Sequence, residues 1–338
     1  MSEITSIAAW NKRGLADVRE LLHREGLALD PHLDYTAGLY EDEQLIATGS
    51  FYRNTLRCLA VDSSRQGEGL MARMVTHLVH ELFSRGQHDL FIYTKKQAAQ
   101  NFTGLGFYEI VSLDEVVFLE NRRHGFEQYI KSLDRPALPQ GAVIGAIVMN
   151  ANPFTLGHRY LVEQAAARCD ALHLFMVSED ISLFPREARE KLIRAGVADL
   201  KHVYPHPTGP YLGNRAHFPI YFIHRATLVT LAHAKLDAKV FSRIAQALGI
   251  TDRFVGEEPL SPATALYNQA MGELRPEASV KRHVFQRKSD DGVNPISASR
   301  VRALLKEGKL EAVKTLVPET TYAFLASDEG RAIIEKMK

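Results

Sequence analysis

Apolar residues recur along the chain with two different periods, and the change between them divides it. At 142–149 the stretch AVIGAIVM is almost continuously apolar and too short for a buried helix, so it reads as a strand covered on both faces. Leu161, Val162, Ala165 and Ala166 then share one face of a helix over 159–168. A second strand-like run follows at 171–177, helices at 187–200 and 240–248, the latter stopped by Gly249, and strands at 253–255 and 280–285. Strands alternating with helices predict βαβ units with right-handed crossovers and a Rossmann-like, doubly wound parallel sheet. The N-terminal half differs: strands at 44–52 and 56–61, then Gly67 and Gly69 introducing a helix at 70–83, then a strand at 90–93 predict an α+β domain. Pro136 and Pro139 interrupt any element crossing 129–141. The expected division is therefore 1–130, a linker at 131–140, and 141–338.

Composition narrows the class. With 338 residues, 46% hydrophobic and 24% charged, the chain has enough apolar side chain for two ordinary cores. Lys plus Arg number 41 against 40 Asp plus Glu, so no global field favours nucleic acid, and any phosphate must be bound locally. Cys58 and Cys169 form no C-x-x-C pair and read as buried thiols of a reducing compartment. Without a secretory signal pattern or an apolar run of membrane-spanning length, the expectation is a cytoplasmic protein that does not enter a membrane. His77, His80 and Glu81 lack the H-E-x-x-H order and read as a helix face, so no metal site is expected.

The chemistry concentrates in two segments. In NANPFTLGHRYL the strand ends at Asn150 and a turn through Asn152 and Phe154 leads to Thr155, Leu156, Gly157 and His158 at a helix start. Free N–H groups, the positive end of a helix dipole and an imidazole then meet at the carboxyl edge of the sheet, where α/β proteins bind nucleotides. Gly157, lacking Cβ, lets backbone approach a phosphate or base closely; the plainer reading gives Gly157 and His158 only packing and capping roles. In NPISASRVRALL, Ser297 is a helix N-cap, Ser299 sits in the first turn and Arg302 follows, a second anion clamp or a simple cap. The pairing of the two segments favours phosphate binding.

T-x-G-H after the first strand, with I-S-x-S-x-x-R near the end, resembles the nucleotidyltransferase superfamily. More closely, GAIVMNANPFTLGHRYLVEQAA, HLFMVSEDISLFP, RFVGEEP and PISASRVRALL resemble the citrate lyase ligase family over the whole chain. The resemblance implies an ATP site formed by Asn152, Phe154, Thr155, Gly157, His158, Gly256, Glu257, Ser297, Ser299 and Arg302, with His158 and Arg302 catalytic. Thr155 stands where many superfamily members carry a histidine. Arg189 matches a position that relatives turn toward substrate, although an arginine on a helix is more often simply exposed. VDSSRQGEGLMARMV at 61–75 and NFTGLGF at 101–107 resemble the GNAT acyltransferases, implying that Gln66, Gly67 and Gly69 cradle a coenzyme-A-like arm. Ser64 replaces the usual Arg or Gln there, and Glu68 adds a negative charge, so this domain either binds the arm or is structural.

The implied reaction joins acetate to ATP, with magnesium, as acetyl-adenylate, then passes the acetyl group to the phosphoribosyl dephospho-coenzyme A thiol of the citrate lyase acyl carrier (gamma) subunit. Three other readings stay open from the residues alone: an adenylyltransferase acting on a phosphomonoester, an acetyl-coenzyme-A-dependent N-acetyltransferase with a nucleotide-sensing domain, and a non-catalytic nucleotide-binding regulator.

Overall fold

The computed structural model describes residues 3–180, 182–213, 226–257, 280–290 and 294–337. It divides into two compact units: residues 3–128 with 226–238, and residues 129–213 with 239–257, 280–290 and 294–337.

The first unit is built on a seven-stranded sheet of order β1-β2-β3-β4-β5-β7-β6. Its strands are β1 (Ile4–Ser6), β2 (Tyr35–Glu41), β3 (Gln44–Tyr52), β4 (Thr55–Val61), β5 (Phe91–Thr94), β6 (Tyr108–Ser112) and β7 (Val117–Glu120). All pairs are antiparallel except β4 with β5. Helices α1 (Lys12–Arg24) and α2 (Leu70–Ser84) pack on it, and α2 adds Leu70, Met74, Val75, Leu78 and Leu82 to the core. The short segments α3 (Ala99–Thr103) and α4 (Gly125–Ser132) complete the element order of this half. Cys58 adopts φ +50°, and the β3–β4 register shifts between Thr48 and Ser50, so β4 bends. Beyond Thr55↔Phe91 and Leu56↔Ile92 no further β4–β5 pairs form, leaving an opening between them.

The second unit is the expected parallel sheet, of order β10-β9-β8-β11-β12. Its strands are β8 (Ile144–Met149), β9 (Ala171–Met176), β10 (Val203–Pro207), β11 (Asp252–Gly256) and β12 (Lys281–Phe285). The sheet runs outward from β8 on one side and from β11 on the other, so the topological switch point lies between these two strands. Helices α5 (Leu156–Ala166), α6 (Arg186–Gly196) and Ala298–Lys306 send Val162, Leu192, Ile193, Val301 and Leu305 into one core with Ile147, Leu174 and Phe254. Burying each such side chain contributes about 1.5–3 kcal/mol.

Element limits differ from the sequence expectations for local reasons. Helix α5 begins at Leu156 because Thr155 caps it. Helix α7 (Ala226–Leu248) extends well upstream of 240. Strand β10 carries Pro205 and Pro207 and was not expected; it is an edge strand, where a missing N–H is tolerated. Among the described residues no helix is long and apolar enough to cross a membrane. Cys58 is buried, which pushes its thiol up to about 12.

Strands β9 and β10 bury a histidine pair, His173 Nδ1 lying 2.9 Å from His206 Nε2, with the two residues 1% and 3% exposed. Burial lowers both from the ordinary value of 6.5 to about 4, with Asp134 opposing the shift in each. Because the folded values lie below the unfolded one, their contribution to stability is complete above about 6.5 and is lost as pH falls toward 4. Urea midpoints of the wild type are expected to fall between pH 7 and pH 4.5, and the His173→Leu/His206→Leu double variant to flatten that dependence. An equally steep decline in the double variant would assign the acid sensitivity elsewhere.

Candidate nucleotide site

At the switch point a cavity of about 750 Å³ opens beyond the carboxyl ends of β8 and β11. Asn152, Thr155, Gly157 and His158 line one side of it. Gly256, Ser297, Ser299 and Arg302 also line it, so both sequence segments share one concavity.

They are joined by direct contact. Arg302 Nη1 donates to the Asn152 carbonyl at 2.6 Å, and its Nη2 donates to Ser299 Oγ at 3.0 Å. A Cβ added to Gly157 would stand 2.5 Å from the Ile296 carbonyl oxygen, so this glycine is required by the closeness of the two backbones. Leu156 N donates to the Leu316 carbonyl at 2.9 Å, tying the same helix start to the C-terminal region.

The cap of α5 sets the state of His158. Thr155 Oγ1 accepts from the His158 amide, and His158 Nδ1 accepts from the Thr155 amide at 3.1 Å, a reciprocal capping box with imidazole in the place usually held by Glu or Gln. Since Nδ1 accepts from a backbone N–H, the neutral ring carries its proton on Nε2. Burial, then the charge of Arg287, lowers the His158 pKa to about 4. The ring is therefore a neutral donor near pH 7. Thr155, fully buried, holds this orientation through its amide and hydroxyl.

Arg253, Arg287 and Arg302 are among the residues lining the cavity, while Asp and Glu are absent from its described lining. Two helices start there, α5 and Ala298–Lys306. The amides of Gly157, Ala298 and Ser299 have no protein acceptor among the described residues, and each helix start carries about half a positive charge. A polyanion is the ligand such a lining accommodates.

Three expected site residues occupy other positions. Phe154 is fully buried and stacks on His158 at 5.8 Å between ring centroids, so it supports the imidazole from the core. Glu257 lies outside the lining; its amide donates to the Phe285 carbonyl and its own carbonyl accepts from Arg287 Nε. Arg189 is neither exposed nor at the cavity: it is 1% exposed and donates to the carbonyls of Val177, Glu179 and Phe184 and to Asn150. Sequence reading missed Arg253 and Arg287, whose strand ends could have suggested them. Arg253 also stacks over Phe241 at 4.1 Å.

In the first unit, Gly67 and Gly69 have φ of +89° and +75°, with open space where a side chain would stand, and Gly69 is the N-cap of α2. Gln66 lines a separate cavity of about 190 Å³ between β4 and β5, with Leu59, Val61, Tyr93 and Phe102. Part of the loop is already occupied from within: Glu25 accepts from Ser63 N, Asp62 from Ser64 N, and Arg65 is paired to Glu41 and Glu68.

A steric test of the junction follows from Gly157. Gly157→Ala is expected to destabilise the protein by about 1–3 kcal/mol and weaken ATP binding at least ~tenfold. Chemical denaturation and calorimetry measure these effects, and wild-type affinity in the variant would show that the backbones need not approach.

Comparisons with known proteins match the two parts of the sequence to two families. The citrate lyase ligase C-terminal domain family matches residues 144–325, and the acetyltransferase (GNAT) family matches residues 3–110. A citrate (pro-3S)-lyase ligase of Klebsiella pneumoniae is 41% identical over 313 residues, covering 91% of this chain and 91% of its own length. One from Escherichia coli (strain K12) is 38% identical over 327 residues, covering 95% and 93%. A solved putative acyl-CoA N-acyltransferase from Klebsiella pneumoniae aligns at 19% identity and TM-score 0.30, covering 36% of this chain and 96% of that one. On the sequence relatives and the domain match, the chain belongs to the citrate lyase ligase family.

Proposed function

We propose that the protein is an AMP-forming acid–thiol ligase acting on citrate lyase. Acetate attacks the α-phosphorus of ATP in line, one carboxylate oxygen forming a bond to phosphorus as the bond to pyrophosphate breaks. The thiol of the phosphoribosyl dephospho-coenzyme A group on the acyl carrier subunit then attacks the acetyl carbonyl, forming the thioester and releasing AMP and the thiol proton. The observation that carries this reading is the meeting of Thr155–His158 and Ser297–Arg302 in one arginine-lined cavity at the switch point.

The nucleophile in the first step is already an anion, so the site needs positioning and charge stabilisation more than a general base. His158, through its Nε2 proton, and Arg302, held by Asn152 and Ser299, supply donors without a change of protonation. Gly157, Ser297 and Ser299 place backbone and hydroxyl donors around the phosphates, and Gly256 leaves room for the nucleoside at the end of β11. Magnesium would accompany the triphosphate as part of the substrate and screen its charge.

The GNAT-like domain, 1–130, receives the pantetheine part of the carrier's arm at Gln66, Gly67 and Gly69, joined through a linker at 131–140 to the ligase domain at 141–338. The opening between β4 and β5 supports this assignment. A cytoplasmic setting suits both thiols, Cys58 at about 12 and Cys169 raised to about 11 by burial, neither of which is an acyl acceptor.

Exchange of labelled pyrophosphate into ATP tests the reaction class. Exchange that requires acetate is the expected result; exchange that instead requires a phosphomonoester would replace the ligase with an adenylyltransferase. His158→Ala and Arg302→Ala are each expected to lower turnover ~100-fold or more with the circular dichroism spectrum retained. Unchanged kinetics in both would move the active site away from this cavity.

A further inference from the structure

The guanidinium of Arg189 is almost wholly buried, yet its protein acceptors are the carbonyls of Phe184, Val177, Glu179 and Asn150 and the side chain of Asn150. None of these is a carboxylate. Asp180, Glu190 and Glu179 lie near enough to favour its charge and Arg186 near enough to oppose it, but burial dominates and lowers its pKa. Burying a cation among neutral partners is unfavourable, and here the cost is offset by hydrogen bonds from every nitrogen of the guanidinium.

One of these acceptors is a side chain, that of Asn150. Asn150 Oδ1 is 2.6 Å from Arg189 Nη1, and because a guanidinium can only donate, the atom facing it must be the amide oxygen. The amide nitrogen is thereby turned away from Arg189 and donates to Ser182 Oγ at 3.0 Å. One Asn150 N–H is left, and the Ser182 hydroxyl donates to Asn150 Oδ1 only at a long 3.4 Å, a bond it can exchange for a ligand oxygen. Asn150 is exposed and lines the nucleotide cavity two residues before Asn152, whose carbonyl holds Arg302.

We propose that Asn150 and Ser182, oriented by Arg189, form the subsite for the carboxylate substrate. Two donors backed by a buried cation match a small monocarboxylate, and hydrogen bonds to it leave an oxygen lone pair for attack on phosphorus. Arg189 acts as a positioning residue: it touches no substrate and sets which end of the Asn150 amide is presented. This assignment rests on the ligase reading.

Asn150→Asp separates the roles, because it keeps the oxygen facing Arg189, gives that cation a carboxylate, and replaces the outward donor with a repelling oxygen. In acetate-dependent pyrophosphate exchange by the full chain, the acetate KM is expected to rise at least ~tenfold while the ATP KM stays within about twofold and the melting temperature holds or rises. Ser182→Ala should raise the acetate KM by roughly threefold, and Arg189→Lys should give the same selective rise. A purely structural Asn150 would leave the acetate KM of Asn150→Asp at the wild-type value. That result, or an equal rise in the ATP KM, overturns the subsite while the ligase reading stands. Wild-type exchange indifferent to acetate overturns the ligase reading and the subsite with it.

Discussion

The backbone contact between Gly157 and Ile296, with the Arg302 to Asn152 hydrogen bond beside it, is the constraint on which the second unit's site depends. Residues far apart in sequence share one cavity because a glycine lets two loops touch. The strand order then decides where this happens: β8 and β11 are neighbours whose chains continue away from each other, so the crevice beyond their carboxyl ends is open. Helix dipoles and guanidinium groups converge on that opening, and the described lining adds no opposing carboxylate.

How much of this was legible from residues alone depended on how local each cause is. Thr155 and Ser297 cap helices by bonds to amides three residues away, and such patterns are written in consecutive positions. The parallel sheet was legible for the same reason, since β8 and β9 are short apolar runs. Phe154, Glu257 and Arg189 were less so, because their surroundings come from distant segments: Phe154 meets Gly196, and Arg189 meets the ends of β8 and β9. Strand β10 was hidden by its prolines, which only an edge position permits.

The two units treat anions in contrasting ways. In the second, donors at helix starts face a cavity with arginines. In the first, Gly67 and Gly69 give the left-handed turns that a backbone cradle needs, yet Glu25, Asp62, Glu41 and Glu68 already engage the neighbouring amides and Arg65. Its remaining opening is small and largely apolar, lined by Leu59, Val61 and Phe102, which suits an uncharged chain better than a cluster of phosphates.

The meeting of early and late segments also bears on biosynthesis. A ribosome that has released β8 and α5 has produced only half of the anion cradle, and the other half emerges when Ser297–Arg302 clears the exit tunnel. Nascent chains that end before Ser297 therefore carry only one of the two loops. A ligand held by both loops would bind only where they meet, so its affinity would oppose their separation.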